Sequence, residues 1–211
     1  MRTDDLIRGL AADPRTEASP GRAIGLLLPL GLLGAVVIFS LILHVRPDFA
    51  AALLDPRLML KFAVTVSLAA ASLLLLMRLA RPGARAAPMA LALFVPAGLL
   101  AIGIAATIGL RPSEDWLPGL IGHNARYCVV FVPLLGTPIL AALLLAMRRG
   151  APTRPGLAGA VAGLAAGGLG AAIYALHCPD DSPLFVMTWY SIGIAALTAV
   201  GTAIGRRLLA W

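Results

Sequence analysis

Charge is scarce in this sequence. Of its 211 residues, 13% are Asp, Glu, Lys or Arg, while 60% are hydrophobic. A soluble domain carries about 25% charged residues, so a water-soluble globule of this length would lack a polar coat, and the bilayer is the solvent that fits. Cysteine is nearly absent as well. Cys128 and Cys178 are too few for a disulfide-rich scaffold, and their meaning depends on which side of a membrane they face. The chain also lacks a nucleotide-binding glycine loop, a His-Glu-x-x-His helix and a serine-centred elbow, so no catalytic residue and no enzyme are expected. The middles of its apolar runs hold no ionisable group, which disfavours ion-coupled transport. Lys61 lies one turn after Arg57, near the end of its run, and is expected to snorkel outward.

What is present is a set of long apolar runs. A spanning helix needs about 20 mostly apolar residues. Six segments qualify, roughly 23–43, 58–77, 89–110, 128–147, 157–176 and 187–205. Without water to satisfy backbone groups, each must be helical. The expected fold is all-α, a polytopic six-transmembrane-helix bundle at 23–205. It is flanked by an N-terminal segment at 1–22 and a short tail at 206–211.

The net charge is +7. Its arginines sit in short loops beside apolar runs, where they act as topology signals and headgroup contacts, so no direct nucleic-acid binding is expected. Arg2, Arg8, Arg15, Arg22, Arg78, Arg81, Arg85, Arg148, Arg149, Arg154, Arg206 and Arg207 fall on one side, against Arg46, Arg57, Arg111 and Arg126 on the other. Twelve against four places both termini in the cytoplasm by the positive-inside rule. The first 22 residues contain four acids and precede an apolar run of span length. They read as a cytoplasmic segment followed by an uncleaved first span, not a signal peptide.

Within the spans, Gly159, Gly163 and Gly167 recur at intervals of four, and Gly201 and Gly205 repeat the interval in the last span. Such stripes let neighbouring helices approach closely. Pro133 and Pro138 fall in the fourth span, making it the helix expected to bend most.

The predicted orientation sorts the remaining features. Cys128 opens the fourth span and Cys178 follows the fifth, so both lie at the outer surface. That side is oxidising in a bacterium, and a disulfide is chemically allowed there. His44, His123 and His177 fall on the same side. Thiolates and imidazoles are ligands that soft and borderline metals prefer, so His123 and His177 are candidate metal ligands beside the two thiols. No resident cofactor is expected, transient heavy-metal binding excepted. At the inner side, Thr3 is a candidate N-cap, and Asp4 and Asp5 suit a positive first turn. Leu6, Ile7 and Leu10 share one face until Asp13-Pro14 ends the helix. One or two turns are unstable alone. The segment therefore reads either as an anchor for a partner's groove, through Asp4, Leu6, Ile7 and Leu10, or as an interfacial helix on the membrane.

Several stretches together resemble the NrsF-type membrane anti-sigma factors. They are the opening Met1-Arg-Thr-Asp-Asp-Leu-Ile-Arg-Gly-Leu-Ala-Ala-Asp13, the six spans, Asn124-Ala-Arg-Tyr-Cys128, and Ala175-Leu-His-Cys178-Pro-Asp-Asp181. The resemblance covers essentially the whole chain, and the two cysteine contexts are its most specific part. It implies a multi-pass protein of the bacterial inner membrane. Its partner would be an extracytoplasmic-function sigma factor, sequestered near Asp4 to Leu10 and freed under oxidant or heavy-metal stress. It further implies that Cys128 and Cys178 are the sensing pair and that spans 4 and 5 carry the change inward. Two other readings are a membrane thiol–disulfide exchange protein and a small-solute or lipid transporter. The first lacks the vicinal cysteines such enzymes use, and the second is disfavoured by the dry spans.

Overall fold

The computed structural model describes residues 19–83 and 86–210, with Thr3. The N-terminal positions Asp4, Leu6, Ile7 and Leu10 lie outside the described residues. Six helices are long and apolar enough to cross a membrane: α1 (Pro20–Ile42), α2 (Pro56–Leu79), α3 (Ala87–Leu110), α4 (Ala125–Met147), α5 (Pro155–Ala175) and α6 (Pro183–Leu208). Among the described residues there is no strand.

Every helix begins two to four residues before the apolar run that announces it. Hydropathy discounts proline and capping residues, yet these are what start a helix. Pro20, Pro56, Pro155 and Pro183 each open one, where the missing N–H has no partner to lose. The Ser19 hydroxyl accepts from the Arg22 amide at 3.4 Å, and Asp55 accepts from the Arg57 amide at 2.8 Å. In α3 the turn Leu91–Leu93 tightens to 3₁₀ just ahead of Pro96, which cannot donate into the turn before it. α4 runs as one helix through Pro133 and Pro138.

α5 is the hub, because its glycines let three helices approach. A Cβ on Gly163 would meet the Leu197 carbonyl and, at 2.7 Å, the Thr198 Cα of α6. Gly159 and Gly201 face each other backbone to backbone across the same seam. Gly168 lies against Thr65 and Ala69 of α2, and Gly170 against Val132 and Gly136 of α4. With no hydrophobic drive between helices in lipid, dense backbone packing supplies the association. α3 stays at the periphery against α2, and its Leu91, Phe94, Val95 and Ile102 point outward.

The helices alternate in direction, so the molecule has two unlike ends. At one end the α4–α5 turn bonds to the end of α2, Ala151 N–H donating to the Ala80 carbonyl at 3.3 Å. Arg22, Arg78, Arg81, Arg148, Arg149, Arg154, Arg206 and Arg207 gather there, with no acid among the described residues of that end. All six described acids lie at the opposite end, with Cys128, Cys178 and the three histidines.

Candidate functional site

The cysteine end is built around the loop between α5 and α6. α5 stops at Ala175, and the chain turns through Leu176, His177 and Cys178. The Cys178 amide still donates to the Tyr174 carbonyl at 3.1 Å, so the residue is hung one turn beyond the helix. Cys128 sits in the first turn of α4, its amide bonded to the Asn124 carbonyl at 3.0 Å. The two side chains are fully buried and are free thiols, with Sγ to Sγ 3.9 Å. A disulfide bond is about 2.05 Å, so forming one requires the sulfurs to close by roughly 2 Å.

Two tyrosines enclose the pair, Tyr174 from α5 and Tyr190 from α6, with ring centroids 6.0 Å apart. Both are fully buried. Their hydroxyls have no hydrogen-bond partner among the described residues, which is unusual for buried polar atoms. Tyr190 closes a π-helical stretch, Val186–Tyr190, a departure from α geometry that recurs at functional sites.

The rest of the loop is held by charge. Asp180 caps α4: its carboxylate accepts from the Asn124 amide at 2.8 Å, the Asn124 side chain at 2.9 Å and the His123 amide at 3.1 Å. A carboxylate is favoured beside amides at a helix start. The loop that carries one cysteine thus fastens the helix that carries the other. Gly122 permits this approach. Its φ is +58°, and a Cβ there would strike the Phe185 ring and come within 3.0 Å of the Asp180 carboxyl carbon. Asp181 takes Arg46 on one oxygen at 2.6 Å and Lys61 on the other at 2.7 Å. Lys61 also donates to the carbonyls of Cys178 at 2.9 Å and Asp180 at 3.0 Å. Arg46 forks onto Asp48, and its amide donates to the Leu176 carbonyl at 3.0 Å. The bond to Asp48, joined by Asp181, holds the Arg46 guanidinium further above its already high range. The same fork holds the Asp48 carboxyl down at about 2.

Lys61 does not snorkel. Its side chain is wholly buried, because the loop folds over it and offers three oxygens in place of water. Sequence reading also passed over Asp180, Asp181, Tyr174, Tyr190 and Arg46 as partners of the cysteines. The available signals were a lysine inside an apolar run and the acid pair two residues after Cys178.

The histidines stand apart from the sulfurs in their bonding. The His177 ring contacts the His44 carbonyl through Nδ1 at 2.8 Å. The His123 side chain is 94% exposed, with Nδ1 3.5 Å from Asp180. Among the described residues no group of three or more His, Cys, Asp or Glu side chains is placed to hold a metal ion.

Comparison with known proteins adds a family. Residues 10–211 match the NrsF family profile, described as "Negative regulator of sigma F". The chain is 41% identical over 214 residues to a protein of Caulobacter vibrioides named anti-sigma-F factor NrsF. It is 37% identical over 214 residues to one of Azospira oryzae named probable anti-sigma-F factor NrsF. Each alignment covers the whole of both chains. No solved structure matches.

Proposed function

The chain belongs to the NrsF family of negative regulators of sigma F, and from that premise we propose that it is an anti-sigma factor whose outer thiol pair governs release. In this reading it holds an extracytoplasmic-function sigma factor at the inner membrane. It frees the factor when Cys128 and Cys178 are joined by an oxidant or bridged by a heavy metal. The arginine end faces the cytoplasm, as the positive-inside rule directs, and both chain termini emerge there. Asp4, Leu6, Ile7 and Leu10 then supply the binding helix, beside the basic inner loops.

One observation carries the sensing half. Two buried thiols from α4 and from the loop after α5 stand 3.9 Å apart, and that loop is bonded at once to α2, to the α1–α2 connection and to the start of α4. Drawing the sulfurs together, or a metal between them, cannot leave those attachments unchanged in a close-packed bundle. Moving a two-state equilibrium from 1:99 to 99:1 takes about 5.5 kcal/mol of differential stabilisation. A new covalent or thiolate–metal bond is of that order, and α5 can pass the shift along its glycine seams. Regulation needs no catalytic residue.

Two experiments test the halves separately. With Cys128→Ser and Cys178→Ser together, the sigma factor is expected to stay membrane-bound in cells exposed to cadmium or peroxide. Release at the normal dose ends the sensing half. Deleting residues 1–13 is expected to abolish co-purification of the sigma factor from detergent extracts while the bundle still accumulates. Undiminished co-purification removes the binding helix from the scheme.

A further inference from the structure

The only lysine of the chain sits where an ammonium is least at ease. Its side chain is wholly buried near the cysteine end of the apolar helix α2. Its three protons meet three acceptors, all in the loop of Cys178: the carbonyls of Cys178 and Asp180 and the Asp181 carboxylate. The Tyr190 ring lies beside it, 5.4 Å from Nζ to the centroid. A buried ion pair holds no general advantage in stability over apolar residues of the same size, so the fold alone does not call for this charge. What the charge does is local. It is tied to the main chain of one cysteine, from a helix that carries neither.

We propose that Lys61 is the positioning residue of the thiol pair: anchored by Asp181, it fixes the main chain at Cys178 and keeps one positive charge beside the sulfurs, so that Cys178 is the thiol that yields its proton when the pair is engaged. This rests on the reading of Cys128 and Cys178 as the sensor. The groups facing Cys178 favour that assignment. Cys128 comes from α4, Tyr174 from α5, Tyr190 from α6 and Lys61 from α2, with His177, Asp180 and Asp181 on the loop itself. Asp181 is neutralised by Lys61 and Arg46, and the Asp180 carboxylate is turned to the amides of His123 and Asn124. Lys61 is therefore the buried charge left to act on the sulfurs. The hydrogen bond from Cys128 draws the Cys178 thiol down most, burial opposes it, and the Lys61 charge adds to the downward pull, which prevails. A thiolate is the form that ligates a metal or attacks an oxidant.

The test titrates Cys178 in the full chain, purified in detergent, with Cys128→Ser so that it is the lone thiol. The probe is N-ethylmaleimide. The Cys178 thiolate adds across its double bond, and the neighbouring carbon takes a proton from water. Rate is followed against pH, the midpoint reporting ionisation and the alkaline plateau reporting access. Lys61→Gln is expected to raise the midpoint by about one pH unit, slowing alkylation about tenfold below it, while Lys61→Arg keeps the midpoint. Asp181→Asn, which strips the ammonium of its counter-charge, is expected to lower it and serves if Lys61→Gln does not accumulate. Unchanged midpoints with Lys61→Gln overturn the proposal, as does an equal rise with Lys61→Arg, or a rise with Asp181→Asn. A change of plateau alone means that Lys61 only packs the loop, and overturns it too. Because the thiol itself is read, the outcome is independent of whether sigma release depends on the pair.

Discussion

Replacing Asp181 by alanine is expected to destabilise the protein by about 3–5 kcal/mol, the largest single-residue effect outside the helix seams. The carboxylate is 9% exposed and serves two cations whose side chains are 0% and 8% exposed. Its loss leaves the Lys61 ammonium with two carbonyls and no counter-charge, and Arg46 with Asp48 alone. An uncompensated buried charge is the expensive outcome, more than the loss of the pair's attraction. Asp48→Ala is the control. That carboxylate is 59% exposed, so its ion pair is screened by water and its removal changes little. The two variants are compared by SDS-induced unfolding of the purified protein. Combining Lys61→Met with Asp181→Leu should recover most of the loss, since a buried pair replaced as a whole by apolar groups is often neutral. Equal stability of Asp181→Ala and Asp48→Ala would show that the loop is not held by this network.

The second large effect is at Gly163. A valine there places its Cβ against the Leu197 carbonyl and 2.7 Å from the Thr198 Cα. Both obstacles are backbone, so no rotamer change relieves them, and α5 and α6 must part. Overpacking of this kind costs about 1–3 kcal/mol where side chains yield. With backbone on the other side, the upper end of that range or more is expected, seen as lowered SDS resistance and reduced accumulation. Gly98 of α3 provides the contrast, because a Cβ there meets nothing within 4 Å. Gly98→Val is expected to leave stability within about 0.5 kcal/mol. If the two substitutions behave alike, close approach of α5 and α6 is not what holds the bundle together.

These two positions differ in how legible they were. Gly163 could be read from its spacing, because helix periodicity turns a four-residue interval into a stripe on one face. What the interval could not say is which neighbour the stripe meets. Gly168 and Gly170 sit outside the Gly159–Gly163–Gly167 series yet approach α2 and α4 as closely. Asp181 was hardly legible at all. In sequence it is one of two acids in a loop, 120 residues from Lys61 and 135 from Arg46. Local pattern carries no information about such a pairing, and the rule that a terminal lysine snorkels pointed the other way.

The feature best preserved from sequence to structure is the division of the molecule into two ends. Span number, helical state and the gathering of arginines at one end and of acids, cysteines and histidines at the other follow from composition and order alone. Lipid leaves the backbone one spanning option, and a short connection can only return the chain to the opposite side. The convergence of Cys128 with Cys178 is of another kind. It depends on α4 and α5 packing through Gly136 and Gly170, on Asp180 reaching the start of α4, and on a loop folding over a buried lysine. Each is a contact between residues far apart in the chain, set by shape and charge complementarity, which only the assembled bundle supplies.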